Sequence, residues 1–220
     1  MNLCRGQCYD GAGNMAGYKS GCSAYISDRY PLALYFHCSS HRLNLAVIDG
    51  CKIRTVKNMM DTIKKCSDVF RHSPKKDLVF KKTSQEELPD EIHRKLFDVC
   101  RTRWILRLDG MERFQVMLKP ILCTLEKIAN NFDGSYKSEA RSDANGLLHR
   151  ISTFDFVINL VVVRHVLSYV RPLTTELQAI KLDIGAVYDA VDTDLQALDN
   201  CRDDIDVKFK QWFTQAVIMQ

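Results

Sequence analysis

The chain has 220 residues and lacks any unbroken apolar run of the roughly 18 residues a membrane helix needs. Its richest stretch, 156–170, is interrupted by Arg164 and His165. Met1 is followed by Asn-Leu-Cys-Arg-Gly, not by a basic patch and a long apolar segment, so no secretory signal is expected. There is no collagen-like period, low-complexity tract or internal repeat. A nucleophile elbow, a phosphate-binding loop and an HExxH pair are also missing, which removes several common hydrolase and nucleotide-binding signatures. The 46% hydrophobic and 26% charged fractions are those of an ordinary globular protein. A secreted or membrane-spanning protein is therefore not expected, and neither is a membrane partner.

Cysteine, by contrast, is plentiful: there are nine. Their number is odd, their spacing is irregular, and no secretory signal accompanies them. This pattern predicts reduced thiols in a nuclear or cytosolic protein, most of them acting as small buried apolar residues. Charge is modest in total, +4, but uneven. Residues 1–104 hold 18 Lys/Arg against 11 Asp/Glu, whereas 105–220 hold 13 against 16. The basic excess concentrates in 52–82, where Lys52, Arg54, Lys57, Lys64 and Lys65 are candidate phosphate contacts. The last 38 residues carry eight Asp and three Lys/Arg. A basic segment of this kind suits a polyanion partner or a plain solvated helix face.

Leu3 to Tyr9 has the pattern of a short strand, ending in Asp10-Gly11-Ala12-Gly13. The near-continuous apolar run Leu32 to Cys38 predicts a buried strand of a parallel or mixed sheet. After Ser39-Ser40, either of which could cap a helix, the period changes. Leu43, Val47, Ile53, Val56, Met60, Ile63, Cys66 and Phe70 form one amphipathic face, with a bend expected at Gly50. Residues 73–92 hold Pro74, Pro89 and many charges, and are expected to form a mobile basic loop. Phe114, Met117, Leu118, Ile121, Leu125 and Ile128 share a second helical face, with Pro120 a kink. A linker is expected over 130–145. Helices are expected over 146–182, broken near Pro172, and over 184–217.

Three places could carry chemistry. Asp10, at a strand end before a glycine turn, could hold a divalent cation, although Asp-Gly alone is usually a turn. Cys38 and His41 stand at C-x-x-H spacing, which suits two zinc ligands if two of Cys4, Cys8 and Cys22 complete the set. His41 could instead meet a phosphate at a helix N-terminus, or simply be a hydrogen-bonded histidine. Cys100-Arg101-Thr102-Arg103-Trp104 places an aromatic plane among guanidiniums, which suits base stacking with phosphate clamping, or a core tryptophan with solvated arginines.

Taken in order, Gly6 to Met15, Ala33 to Leu45 with Cys38-Ser39-Ser40-His41, and Cys100 to Trp104 resemble the hAT (hobo/Activator) superfamily of DNA transposases. Within it, the resemblance is to domesticated members of the zinc-finger MYM-type and THAP-domain groups. Ile151 to Val157 and the stretch through Gln178 also look like that subgroup, so the likeness covers most of the chain.

The resemblance implies an RNase H-like fold interrupted by a helical insertion. Two Asp and one Glu would there hold two divalent ions for phosphodiester chemistry. Asp10 looks like the second acid. Cys38 and His41 match the C-x-x-H motif, whose His lies near the scissile phosphate, and Arg103-Trp104 match an R-W motif that acts on flanking DNA. Counterparts of the first and third acids are not found, and Glu126, Glu139 and Glu176 do not match the motif. The ancestral Mg2+ site is therefore expected to be incomplete, with no cofactor and no nuclease activity.

The expected fold is α+β, predominantly α. A truncated RNase H-like core of two strands plus helices, over 1–104, would continue into an all-helical insertion-type domain over 105–220. An opening sheet edge next to Leu3–Tyr9 is expected to lack partners. The expected role is a catalytically inactive, transposase-derived protein with residual nucleic-acid binding; the alternatives are a helical protein-interaction module and, behind both, a zinc-stabilised adaptor. DNA and nuclear proteins are the expected partners. The nucleus is the expected location, with the cytoplasm as the alternative.

Overall fold

The computed structural model describes residues 3–92, 96, 104–131, 134–179 and 184–220. These form an α+β, predominantly α, structure. A small N-terminal unit holds β1 (Gly6–Tyr9), α1 (Gly13–Ala16), α2 (Cys22–Arg29) and β2 (Leu34–His37). Next come α3 (Ser39–Gly50), α4 (Arg54–Arg71), α5 (Pro74–Glu87), α6 (Trp104–Val116) and α7 (Leu118–Asn130). The chain continues through α8 (Ser138–Ile151), α9 (Phe154–Ser168), α10 (Arg171–Glu176), α11 (Ile184–Asp203) and α12 (Ile205–Met219). No single helix is long and apolar enough to cross a membrane.

The two strands pair in parallel, with Gly6 opposite Leu34 and Tyr9 opposite His37. Side chains alternate along a strand, so Gln7, Tyr9, Tyr35 and His37 share one face. Gln7 is buried there, its Nε2 within hydrogen-bond distance of the Ser23 and Ala33 carbonyls and of Ser27 Oγ. That side chain joins β1 to α2 and to the entry of β2. The opposite face corrects the expectation of a buried second strand: Leu34 is 63% exposed and Phe36 57%. An apolar run reports only that a face could be covered, and no described residue covers this one.

The helical core lies elsewhere. Val56, Met59, Ile63, Cys66 and Phe70 of α4 pack with Phe80 of α5, Phe114 of α6 and Ile121, Leu125 and Ile128 of α7. The face expected over Phe114 to Ile128 is fully buried. It belongs to two helices, though, because the chain breaks at Met117 and Pro120 falls in the first turn of α7, where its missing N–H costs nothing. In the same way α3 ends at Gly50 and α4 begins anew at Arg54, so Ile53 becomes an exposed cap residue. The cap of α3 is Cys38, one residue before the serines expected to serve.

α9 is apolar almost all round and accordingly central, touched by α4, α6, α8 and α12. Its helix begins at a Thr153 cap whose hydroxyl accepts the Phe156 amide. That cap separates α8 from α9, a break beyond the one expected near Pro172 within 146–182.

The segment 74–87 is a helix, not a loop. Ser73 Oγ accepts the Lys76 amide and Pro74 occupies the first turn. Its buried face is Phe80, Thr83 and Ser84, too polar to show as apolar periodicity. Phe80 stacks on Phe70 at 4.6 Å, and Lys127 of α7 reaches Thr83 Oγ1 at 3.0 Å and Glu86 at 2.9 Å.

Where α9 meets α12, His165 stacks on Trp212 at 5.4 Å, and its Nε2 lies 2.9 Å from Gln215 Oε1. Burial lowers its proton affinity, the Gln215 contact partly opposes this, and the Arg164 guanidinium adds to the lowering. A histidine with a lowered folded value stabilises the fold above the ordinary histidine range and loses that contribution as pH falls through it. The melting temperature is therefore expected to drop from pH 7.5 to 5.5, and to drop less in His165→Gln. Equal drops in both proteins would rule out this joint as the cause.

Candidate functional site

The carboxyl ends of two parallel strands, where the chain turns into a helix, form the crevice in which open α/β sheets bind ligands. Here that end brings together Asp10, Gly11, His37, Cys38 and His41. Asp10 follows β1 and is exposed, and its Oδ1 accepts the Ala12 amide at 3.2 Å, closing an Asx turn. Gly11 lies close against His37: a Cβ there would stand 3.1 Å from His37 Cε1, so the ring would have to shift by a few tenths of an ångström. The His37 and His41 rings lie 5.6 Å apart. His37 Nε2 is buried without a hydrogen-bond partner. Cys38 donates its amide to the Tyr9 carbonyl at 2.9 Å, which ties the start of α3 to the end of β1.

His37 is the residue that motif reading passed over. Strand parity could have found it, because it shares a face with Gln7 and Tyr9 and immediately precedes the C-x-x-H pair.

Two thiols meet on the other face. Burial raises the Cys8 thiol, and its charge interaction and hydrogen bond with Cys38 add to the effect. Across the sheet, Cys22 donates to Tyr9 Oη at 3.8 Å, and this contact, followed by burial, raises the tyrosine. Cys4 and Cys22 thus attend Tyr9 while Cys8 and Cys38 attend one another. The four cysteines are divided by the sheet, and among the described residues no group of three or more His, Cys, Asp or Glu is placed to hold a metal ion.

Among the described residues, no group of three or more His, Cys, Asp or Glu is placed to form a two-ion phosphodiester site. Asp10 is engaged with its own turn, and Glu126, Glu139 and Glu176 stand on α7, α8 and α10. Arg103 lies outside the described residues. Trp104 opens α6, and nothing is described of its side chain.

The five candidate cations split. Lys52 pairs with Asp49, and Lys64 lies 3.5 Å from Asp68. Arg54, Lys57 and Lys65 are exposed on α4, with no ion pair among the described residues. Lys65 also borders a groove of about 570 Å³ between α4, α8 and α9, lined among others by Asp61, Arg150 and Asp155. The field there is mixed in sign.

Comparison with known proteins gives one consistent result. The human protein called 52 kDa repressor of the inhibitor of the protein kinase is 26% identical over 220 residues, covering 98% of this chain and 29% of that protein. The mouse protein of the same name is 25% identical over 221 residues, with the same coverage. Homology to these two proteins therefore extends over most of the chain, which spans less than a third of their length. No family model matches the chain, and no solved structure matches it significantly.

Proposed function

We propose that this chain belongs to a domesticated transposase-like protein of the nucleus, one that does not cut DNA and binds nucleic acid through α4. The state of Asp10 carries the reading: exposed, bonded to the amide of its own turn, and part of no group of three or more His, Cys, Asp or Glu placed to hold a metal ion among the described residues. In-line displacement at phosphorus by two metal ions needs several carboxylates converging on one point. The printed name of the relatives, a repressor, is in keeping with a role in control of other molecules.

Binding rests on Arg54, Lys57 and Lys65. Three phosphate contacts would make duplex affinity fall roughly 40-fold between 50 and 200 mM salt. A Lys57→Glu/Lys65→Glu double variant is expected to lose most of that salt dependence in a fluorescence anisotropy titration. The chain is also expected to leave nicked and hairpin DNA intact in manganese. Cleavage that disappears in Asp10→Asn would overturn the reading.

A second reading has its own observation. On α12, Phe209, Phe213, Val217 and Ile218 are 44–80% exposed, and they neighbour the Asp-rich α11. Such a face fits a helical protein-interaction module. Negligible DNA binding at every salt concentration would favour it.

A further inference from the structure

We propose that Cys8 and Cys38 are an oxidation site, a dithiol that peroxides convert to a disulfide across the end of the β1–β2 pair. The inference goes beyond nucleic-acid binding and does not depend on it. Cys8 stands opposite Phe36, and Cys38 follows two residues later, on the same side of the pleat. The Cys38 amide is bonded to the Tyr9 carbonyl, so this diagonal lies within the hydrogen-bonded ladder, with both thiols on one side of it. Cys8 is exposed, whereas Cys38 is half-buried at the cap of α3; both are free thiols. Among the other described cysteines, Cys66 and Cys201 are buried in the helical core, and Cys22 meets a tyrosine.

The chemistry balances with a hydroperoxide as oxidant. Cys8, the more exposed of the two, attacks the peroxide through the small thiolate fraction that its raised thiol leaves; the O–O bond breaks, and Cys8 becomes a sulfenic acid while one water leaves. The Cys38 sulfur then attacks the Cys8 sulfur, the S–O bond breaks, and a second water leaves with the proton of the Cys38 thiol. Two thiols lose two electrons and two protons, and one hydrogen peroxide becomes two waters.

A disulfide holds its two Cα atoms about 4.4–6.8 Å apart, closer than a diagonal pair of neighbouring strands usually stands. Closing it draws the first turn of α3 toward β1. That turn carries His41, so oxidation would alter the spacing of His41 from Asp10 and His37.

The test uses the whole chain and hydrogen peroxide, with free thiols then blocked and the protein digested without reduction. Trypsin releases 6–19 and 30–42, each with a single cysteine, so the bond is read by mass as one linked pair. That pair is expected to be the dominant disulfide. In Cys38→Ser the reaction should stop at Cys8, leaving a sulfenic acid trapped by dimedone on 6–19. A dominant disulfide between any other cysteines, such as Cys4 and Cys22, would overturn the proposal. So would a Cys38→Ser protein whose dimedone label lies elsewhere.

Discussion

Replacing Phe80 by alanine is expected to cost about 3–5 kcal/mol of folding stability, the usual loss when a buried phenyl ring leaves a cavity. Phe80 is 1% exposed and stacks on Phe70 with its plane tilted by only 14°. Its neighbours on α5, Thr83 and Ser84, are also buried, but both are polar. Ser84 Oγ is occupied with the Phe80 carbonyl at 2.7 Å. The apolar anchorage of α5 to α4 and α7 therefore rests largely on this one ring. The salt bridges from Lys119 to Glu87 and from Lys127 to Glu86 have at least one well-exposed partner each and contribute little. In urea denaturation the midpoint should fall with little change in slope. A loss under about 1 kcal/mol, the range of substitutions outside a core, would mean that α5 does not pack as described. The measurement separates a packed helix from the mobile loop that charge and proline content alone suggest for 73–92.

The second large effect is expected from Gly21→Ala, and it should be local. A Cβ on Gly21 would stand 2.4 Å from the Gly17 nitrogen and 2.5 Å from the Gly17 oxygen. Both are backbone atoms, so no side-chain rotation relieves the contact. The junction of α1 and α2 must move instead, at a cost of about 1–3 kcal/mol for forced overpacking. The N-terminal unit is poorly placed to absorb that: in it the buried residues are few and small, with Gln7, Ser23 and Ala33 at its centre. Segments of this kind open at low free energy. Hydrogen exchange in the β1–β2 ladder should therefore lose most of its protection, while the thermal melt of the helical core stays in place. Gly50→Ala is the control, since nothing lies within 4 Å of the position its Cβ would take. Unchanged exchange in Gly21→Ala would remove the argument that this junction holds the site together.

The two variants bear on different parts of the proposed role. Phe80 supports the helix bundle that presents Arg54, Lys57 and Lys65. Gly21 supports the strand ends that bring Asp10, His37, Cys38 and His41 together. Loss of DNA binding in one variant and not in the other would assign that binding to one surface.

Much of the helical half was legible in the sequence because its apolar residues recur with the helix. Val56, Ile63, Cys66 and Phe70, then Phe114 through Ile128, identify buried faces before any contact is known, since only a helix brings such spacing onto one side. The two strands and the order of the motifs were legible too. What periodicity does not carry is where one helix stops and the next begins. Thr153 starts a new helix through its hydroxyl cap, and Met117 separates α6 from α7 without a side-chain cap; apolar spacing runs straight across both. α5 escaped for the converse reason: its cap and its first-turn proline were present in Ser73-Pro74, but two of its three buried residues carry hydroxyls. Tertiary structure alone decided that Leu34 and Phe36 face outward, because an apolar side chain does not encode whether a neighbour arrives. The pairing of Lys52 with Asp49 and of Lys64 with Asp68, by contrast, is local, at i,i+3 and i,i+4 spacing. Most of all, tertiary structure decided that Cys8 and Cys38 come onto one side of the sheet. That pair comes from two strands lying side by side in one register, a relation between segments about thirty residues apart that neither segment contains.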